Sequence, residues 1–388
     1  HSHQPIHPAV VKICIKWWLR EPLYAGANVH SRLVELPVRF GESLMEFAAN
    51  KQDVPIGHTW YSWTCTGDVL GTVGHSKYSW YPVGGGNKEV DMDPIKKYIL
   101  DHVEADSEWN IYVMEVGRSM NGLPICVMLD GGSPTRMKMG FYFFLLHDIQ
   151  RDQVLLFDCG FFSKEYCKGF GVQNYVSPKV LVERCGFRVE SVTDIVLSHV
   201  HMDHCNGMSM FPNATVWLSE KEYAWMTETS VDQKRNKWFD KMGIVGVTDI
   251  GPYGYAHADF RYLKQADAEG RLKQIKFTKK DRFLKIFPNM WVFDASYAHT
   301  PGSVYLVLAP NKKPNDGLVV FASDCAMVYE NIEGSCVTAS GCCQSYSKSI
   351  SCITCMKNIG SQIIPGHDLD VTKRYPMIYP NIYGVNIN

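Results

Sequence analysis

A mixed α/β fold is predicted for this 388-residue chain by three observations. From residue 110 onward, short apolar runs rich in Val, Ile, Leu and Phe recur between Gly, Pro and Asp, as strands closed by turns do. Segments with helix start and stop signals stand between several of them. Residues able to bind metal gather where the runs end, where a rigid scaffold hands over to functional loops.

Residues 1–108 carry no chemical motif and are rich in Trp, Tyr and Gly, as in Trp60-Tyr-Ser-Trp63 and Gly84-Gly-Gly86. Aromatics around the triple glycine argue for ordered turns rather than a linker. This N-terminal extension reads either as a cover for the substrate pocket or a homodimer surface, or as an addition with no role in chemistry. Asp91–Leu100 predicts a short helix with Pro94 in its first turn. Residues 109–388 are expected to form a second, larger domain. Strands are expected at Asn110–Val116, Ile125–Leu129, Gly140–Leu146 and Gln153–Phe157. Val180–Gly186 reads as a helix ended by glycine, followed by a strand at Val192–Val196. Residues 219–245 look helical, with Trp225 and Trp238 as core or pocket aromatics. The stretch at about 230–290, mixing Gly, aromatics and charge, is expected to be an inserted lid. Further apolar runs lie at Val304–Leu308, Leu318–Ala322 and Gln362–Pro365. No internal repeat interrupts this order.

Chemistry concentrates in His199-Val-His-Met-Asp-His204, directly after the run Ile195-Val-Leu-Ser198. In extended backbone, side chains two apart face the same way. His199 and His201 can therefore grip one cation, while Asp203 and His204, past the bend, face a second. A carboxylate among imidazoles favours a hydrolytic zinc-type site. Two such ions need about seven protein donors and a water. Three later segments offer the rest: His299 before Thr300-Pro-Gly302, Asp324 after an apolar run, and His367 in Pro365-Gly-His-Asp368.

In this order, and with Leu156-Phe-Asp-Cys-Gly160 as the family's Asp-x-Gly turn, the motifs resemble the metallo-β-lactamase superfamily over roughly residues 110–388. The resemblance implies an αββα sandwich with metals at one edge. It places His199, His201 and His299 on a first metal, and Asp203, His204 and His367 on a second. Asp324 would bridge the two, and Asp158 would orient ligands from behind. Residues 197–225 and the terminal Gly-His-Asp are similar to the N-acyl homoserine lactonase-like branch. Those lactonases usually carry a Tyr three residues after the bridging Asp, where this chain has Met327. Tyr329 is the candidate substitute.

The expected reaction is opening of a lactone by a hydroxide bridging two divalent metal ions, zinc by preference. One metal stabilises the oxyanion and Asp203 carries the proton. A thioester, β-lactam or other cyclic amide is the alternative substrate on the same site. An iron-containing redox protein is the alternative from another class. The partner is expected to be a small molecule with an apolar portion. A net charge of −1 without long charge blocks argues against nucleic acid or an anionic membrane surface. No run reaches the roughly 18 apolar residues of a spanning helix. Thirteen dispersed cysteines favour free thiols in a reducing, cytoplasmic compartment. The sequon Asn213-Ala-Thr215, and a first residue other than Met, keep secretion after signal-peptide removal as the alternative. A tag boundary is another reading of that start. Cys352-Ile-Thr-Cys355 reads better as helix with small buried thiols than as half of a structural zinc site.

Overall fold

The structure is a computed structural model that describes residues 10–16, 31–37, 93–229, 254–310, 317–334, 336–360 and 362–385. The chain divides into two units, 1–88 and 89–388. In the first, β1 (Val10–Lys16) and β2 (Ser31–Pro37) pair antiparallel, with Val10 opposite Pro37. The aromatic and triple-glycine turns expected there lie outside the described residues.

The second unit holds two sheets. The larger runs in the order β15 (Met377–Tyr379), β16 (Ile382–Val385), β3 (Trp109–Pro124), β4 (Arg136–Asp148), β5 (Gln153–Phe157), β7 (Val192–Val196), β8 (Thr215–Ser219), β9 (Leu272–Ile275). β6 (Val172–Gln173) joins β3 at the side. Pairing is antiparallel as far as β5 and parallel from β5 to β9. The smaller sheet runs β10 (Phe283–Phe287), β11 (Met290–Asp294), β12 (Val304–Leu308), β13 (Val319–Ser323), β14 (Gln362–Pro365). Only its β13–β14 pair is parallel.

Side-chain alternation along these strands dictates four layers. On β4, Tyr142, Phe144 and Leu146 enter the same core as Val292, Leu306, Phe321 and Ile364 of the other sheet. Their neighbours Phe141, Phe143 and Leu145 point the opposite way, onto Tyr166, Phe170, Leu181 and Leu263 of the covering helices. On the smaller sheet, Trp291, Phe293, Tyr305 and Val320 face outward onto Ile99 and onto Ile353 and Met356 of the helix Tyr346–Ile359. Both faces of the central strands are therefore buried, which is why they read as continuous apolar runs rather than alternating ones. Each large side chain buried this way contributes about 1.5–3 kcal/mol. The result is an αββα sandwich.

Local signals set the helix ends. The helix Pro178–Arg184 has Pro at its first position, and Gly186 just beyond its end has φ +86°, a left-handed exit that glycine permits. The helix Pro94–Asp101 starts where expected, with the Asp93 carboxylate accepting from the Ile95 and Lys96 amides. Its Ile99 is buried in the outer core of the smaller sheet, so this helix belongs to the second unit.

Two expectations are corrected. Ile125–Leu129, expected as a strand, contains the one-turn helix Ile125–Met128. Pro124, at φ −55°, ends the strand and enters the turn, and the Ile125 and Cys126 amides bond to Thr135 and Ser133 instead of a ladder. The expected lid is framework over much of its length. His257–Ala268 is a helix, β9 extends the parallel ladder from β8, and β10 pairs with β11. The apolar positions Leu263 and Ile275 tie these segments to the core. Of the helix expected at 219–245, Glu220–Thr229 is present; residues 230–253, with Trp238, lie outside the described residues.

The eleven cysteines between Cys126 and Cys355 are free thiols. Cys352 is buried on the helix Tyr346–Ile359, as a packing thiol should be. Among the described residues, no helix is long and apolar enough to cross a membrane.

Candidate metal centre

Topology brings the functional loops to one edge of the sandwich. β5 and β7 are parallel, so Asp158 and the 199–204 loop leave the larger sheet side by side. β13 and β14 are also parallel, which puts Asp324 and His367 just beyond neighbouring strand ends. His299 lies in the connection from β11 to β12. The two sheets are stitched here by backbone bonds from the Val304 amide to the Ser198 carbonyl and from the Gly140 amide to the His367 carbonyl, each at 2.9 Å. Asp158 and Ser323 have left-handed φ of 58° and 46°. Such conformations cost energy in non-glycine residues and cluster where function fixes the chain.

The seven expected ligands converge. They form two groups, His199, His201, His299 and Asp324, and Asp203, His204 and His367, with the ligand atoms inside each group within 4.8 Å of one another. In the first, His201 Nδ1 is 3.0 Å from His199 Nε2 and 2.9 Å from His299 Nε2. Donors about 2 Å from a shared ion at tetrahedral angles stand roughly 3.3 Å apart, so the spacing fits one cation. Asp324 faces both groups. Its Oδ2 is 3.3 Å from His299 Nε2, and its Oδ1 is 3.2 Å from His204 Nε2 and 3.0 Å from His367 Nε2. Asp203 Oδ2 is 3.6 Å from the Nε2 atoms of both His204 and His367. His204 Nε2 and Asp324 Oδ1 are buried without hydrogen-bond partners. Buried polar atoms are rarely left so, and a cation between them would satisfy both.

The outward-facing nitrogens are held from behind. His204 Nδ1 meets Asp158 Oδ2 at 2.8 Å, His199 Nδ1 meets Ser198 Oγ at 2.9 Å, and His367 Nδ1 meets the Gly140 carbonyl at 2.8 Å. His299 Nδ1 faces the Cys342 thiol at 3.6 Å. Asp158 also accepts from the Ser198 amide at 2.7 Å and hydroxyl at 2.9 Å, so one carboxylate orients both ligand groups. Partners of this kind fix tautomer and ring orientation. His201 differs: its ring lies against Gly254, where an added Cβ would come within 2.6 Å of His201 Cδ2.

Electrostatics separate the two groups. Burial, followed by His204, His201 and His299, drives His199 well below its ordinary pKa, with Asp324 opposing. Burial takes His299 down to about 3. These imidazoles are neutral, as ligands must be. At His204, burial also lowers the pKa, but Asp324, Asp203 and Asp158 outweigh it and the net shift is strongly upward. His367 is raised for a similar reason, through Asp324 and Asp203. Without metal this second group holds protons that a cation would displace.

Tyr329 is not part of this centre. It is buried in the core between the sheets, its ring 3.3 Å from the Arg374 guanidinium carbon. It lines a cavity of about 430 Å³ with Ile332, Glu333, Lys357 and Tyr375, none of them a candidate ligand. The Tyr329 amide is tied to Asp368 Oδ2 at 2.9 Å, which fixes the backbone at this position. A different tyrosine reaches the site. Tyr166, on the helix Lys164–Phe170, is buried where Asp203 and Asp324 act on its phenol. Burial, then Asp203 and Asp324, raise its pKa well above the ordinary value. Sequence reading missed Tyr166 and also Glu222, a buried carboxylate beneath the first ligand group. The only available signal for Glu222 was an acidic residue in the first turn of a helix soon after the metal loop.

No protein-family model and no curated protein matches the chain. Solved structures do. An N-acyl homoserine lactone hydrolase, determined with the product N-hexanoyl-L-homoserine at its catalytic metal centre, is 16% identical with a TM-score of 0.50. The match covers 70% of this chain and 98% of that one. A quorum-quenching N-acyl homoserine lactone lactonase matches at the same identity and TM-score, over 71% and 98% of the two chains. The fold is thus the metallo-β-lactamase fold, as the resemblance implied.

Proposed function

We propose that this protein is a metal-dependent hydrolase using two divalent cations, zinc by preference, to open a lactone. The observation that carries the reading is the split of Asp324, with one oxygen on each ligand group. An idle or single-metal site has no use for a carboxylate shared in that way. His199, His201 and His299 would hold one cation, Asp203, His204 and His367 the other, and Asp324 both. When bound, the pair supplies an activated water and polarises an acyl carbonyl.

The chain's own residues do the rest. His201 and Asp203 are the partly exposed members of the two groups, while His199, His204, His299 and His367 are buried. Substrate therefore approaches over His201 and Asp203. Asp203 has a second oxygen to take a proton from the attacking water and return it to the leaving alkoxide. The buried Tyr166 phenol lies in the field of that carboxylate. A lactone suits the site because its leaving oxygen stays attached and close to the second ligand group. A thioester or cyclic amide would use the same residues, an amide needing a firmer proton transfer to nitrogen.

The test is acid release in a pH-stat from zinc-loaded protein against lactones, linear esters and thioesters, with ring opening of cyclic amides, which frees no net acid near neutral pH, followed by chromatography. Lactones with an apolar side chain are expected to react fastest. Zinc-replete protein that releases no acid from any lactone or ester would overturn the proposal.

A further inference from the structure

Glu222 lies in the first turn of the helix Glu220–Thr229, directly after β8, and is completely buried. Its carboxylate accepts three hydrogen bonds from two separate loops. Oε1 accepts from the Val200 amide at 3.2 Å; Oε2 accepts from the Thr300 hydroxyl at 2.9 Å and from the Gly302 amide at 2.8 Å. Val200 sits between His199 and His201, and Thr300 follows His299. A single side chain thus ties together the two segments that carry all three histidines of the first ligand group. The turn at Gly302 is built for this approach. A Cβ there would lie 2.2 Å from the Glu222 backbone nitrogen and 2.7 Å from Ser219 Oγ, so only glycine lets the loop reach the helix.

The second group is fixed by other means. His204 is held by Asp158 and by the bond from the Cys159 amide to the His204 carbonyl, and His367 by Gly140. No Glu222 bond reaches Asp203, His204 or His367.

We propose that Glu222 is the positioning residue of the three-histidine group, a clamp that sets the spacing of His199, His201 and His299 without touching metal or substrate. The proposal rests on the two-cation reading above. It requires selectivity: loosening the clamp should weaken one cation site and spare the other. Glu222→Gln keeps the size but turns one acceptor into a donor, which must face an N–H or be left unpaired. Loss of an outer hydrogen-bonding partner typically lowers metal affinity 10–100-fold.

The test is cobalt(II) and zinc titration of metal-free protein against a chromophoric chelator, with melting temperature of the metal-free form read in parallel. Wild type is expected to take up two ions. In Glu222→Gln one step weakens at least tenfold, the other is unchanged, and the metal-free protein still unfolds in one cooperative transition. In a His201→Ala background, where the first group is already broken, Glu222→Gln should change nothing further. Thr300→Val, which removes one of the three bonds, should weaken the same step by a few-fold and decides the matter if Glu222→Gln does not fold. Two unchanged steps in both variants, or equal weakening of both steps, overturn the clamp while leaving the two-cation reading intact. Wild type that binds neither ion overturns that reading, and the clamp with it.

Discussion

Asp158 Oδ2 stands 2.8 Å from His204 Nδ1, while Oδ1 of the same carboxylate accepts the Ser198 amide at 2.7 Å. One residue at the end of β5 therefore governs the ring that enters the second ligand group and the backbone leading into the first. Asp158→Asn preserves the shape and removes the charge. It should weaken binding of both cations by 10–100-fold, measured by chelator competition. Unchanged affinity at both steps would show that Asp158 is a fold residue only.

Asp324 is the residue whose loss neither group can absorb. Asp324→Ala removes Oδ1 from between His204 and His367 and Oδ2 from beside His299. Hydrolysis should fall to background, and metal content by elemental analysis should drop below two per chain. A variant that keeps both ions would show that the histidines and Asp203 suffice and would remove the bridging role.

Tyr166 and Tyr329 are separable. Tyr329→Phe should leave the rate within a factor of two, since its ring lies under the Arg374 guanidinium and lines a cavity that no candidate ligand shares. Tyr166→Phe removes the hydroxyl beside Asp203 and should slow turnover about tenfold, the kinetic equivalent of one hydrogen bond. The opposite ranking would restore Tyr329 to the mechanism.

How the site was legible explains why these residues divide as they do. The candidate metal ligands carry chemistry in their identity, so His199, His201, Asp203, His204, His299, Asp324 and His367 stand out by residue type, spacing and strand-end position, and the family resemblance divides them into two groups. The strands were legible as continuous apolar runs, which mean burial on both faces, and the sandwich came with the family resemblance. Residues acting through geometry were not legible. Glu222 and Gly254 matter because of what they touch across 78 and 53 positions of chain, and no local pattern encodes such a contact. A substitute for Met327 was sought nearby in sequence, at Tyr329, whereas the tyrosine buried near Asp203 is Tyr166, from a helix packed on the other sheet. The lid failed for a related reason: polar, glycine-broken sequence hides a helix and two edge-forming strands whose apolar anchors are few.

Gly254 supports His201 from the side opposite the ligands. It has φ +86°, and its carbonyl accepts the Met202 amide at 2.8 Å. Gly254→Ala forces a left-handed alanine, costing about 1–2 kcal/mol, and drives a methyl into the His201 ring. Affinity of the first cation should fall more than this stability loss alone would produce. Equal effects on both cations would mean that the substitution disturbs the loop as a whole.

Glu222 gives the clearest pH signature. Burial raises its carboxyl from 4.5 to about 7, against three hydrogen bonds that favour the charge. Folded Glu222 thus holds a proton between pH 4.5 and 7 that the unfolded chain has released. The folded state binds more protons in that window, so its stability falls as pH rises through it. Below 4.5 both states are protonated and the group contributes nothing; above 7 the full cost of a buried carboxylate applies. A shift of this size corresponds to about 3 kcal/mol. The measurement is urea unfolding of metal-free wild type and Glu222→Gln at pH 5 and pH 8, with chelator present. Glutamine does not titrate, so wild type should lose about 2–3 kcal/mol relative to the variant between those pH values. A difference independent of pH would show that Glu222 ionises normally and that its three donors, rather than its burial, set its charge.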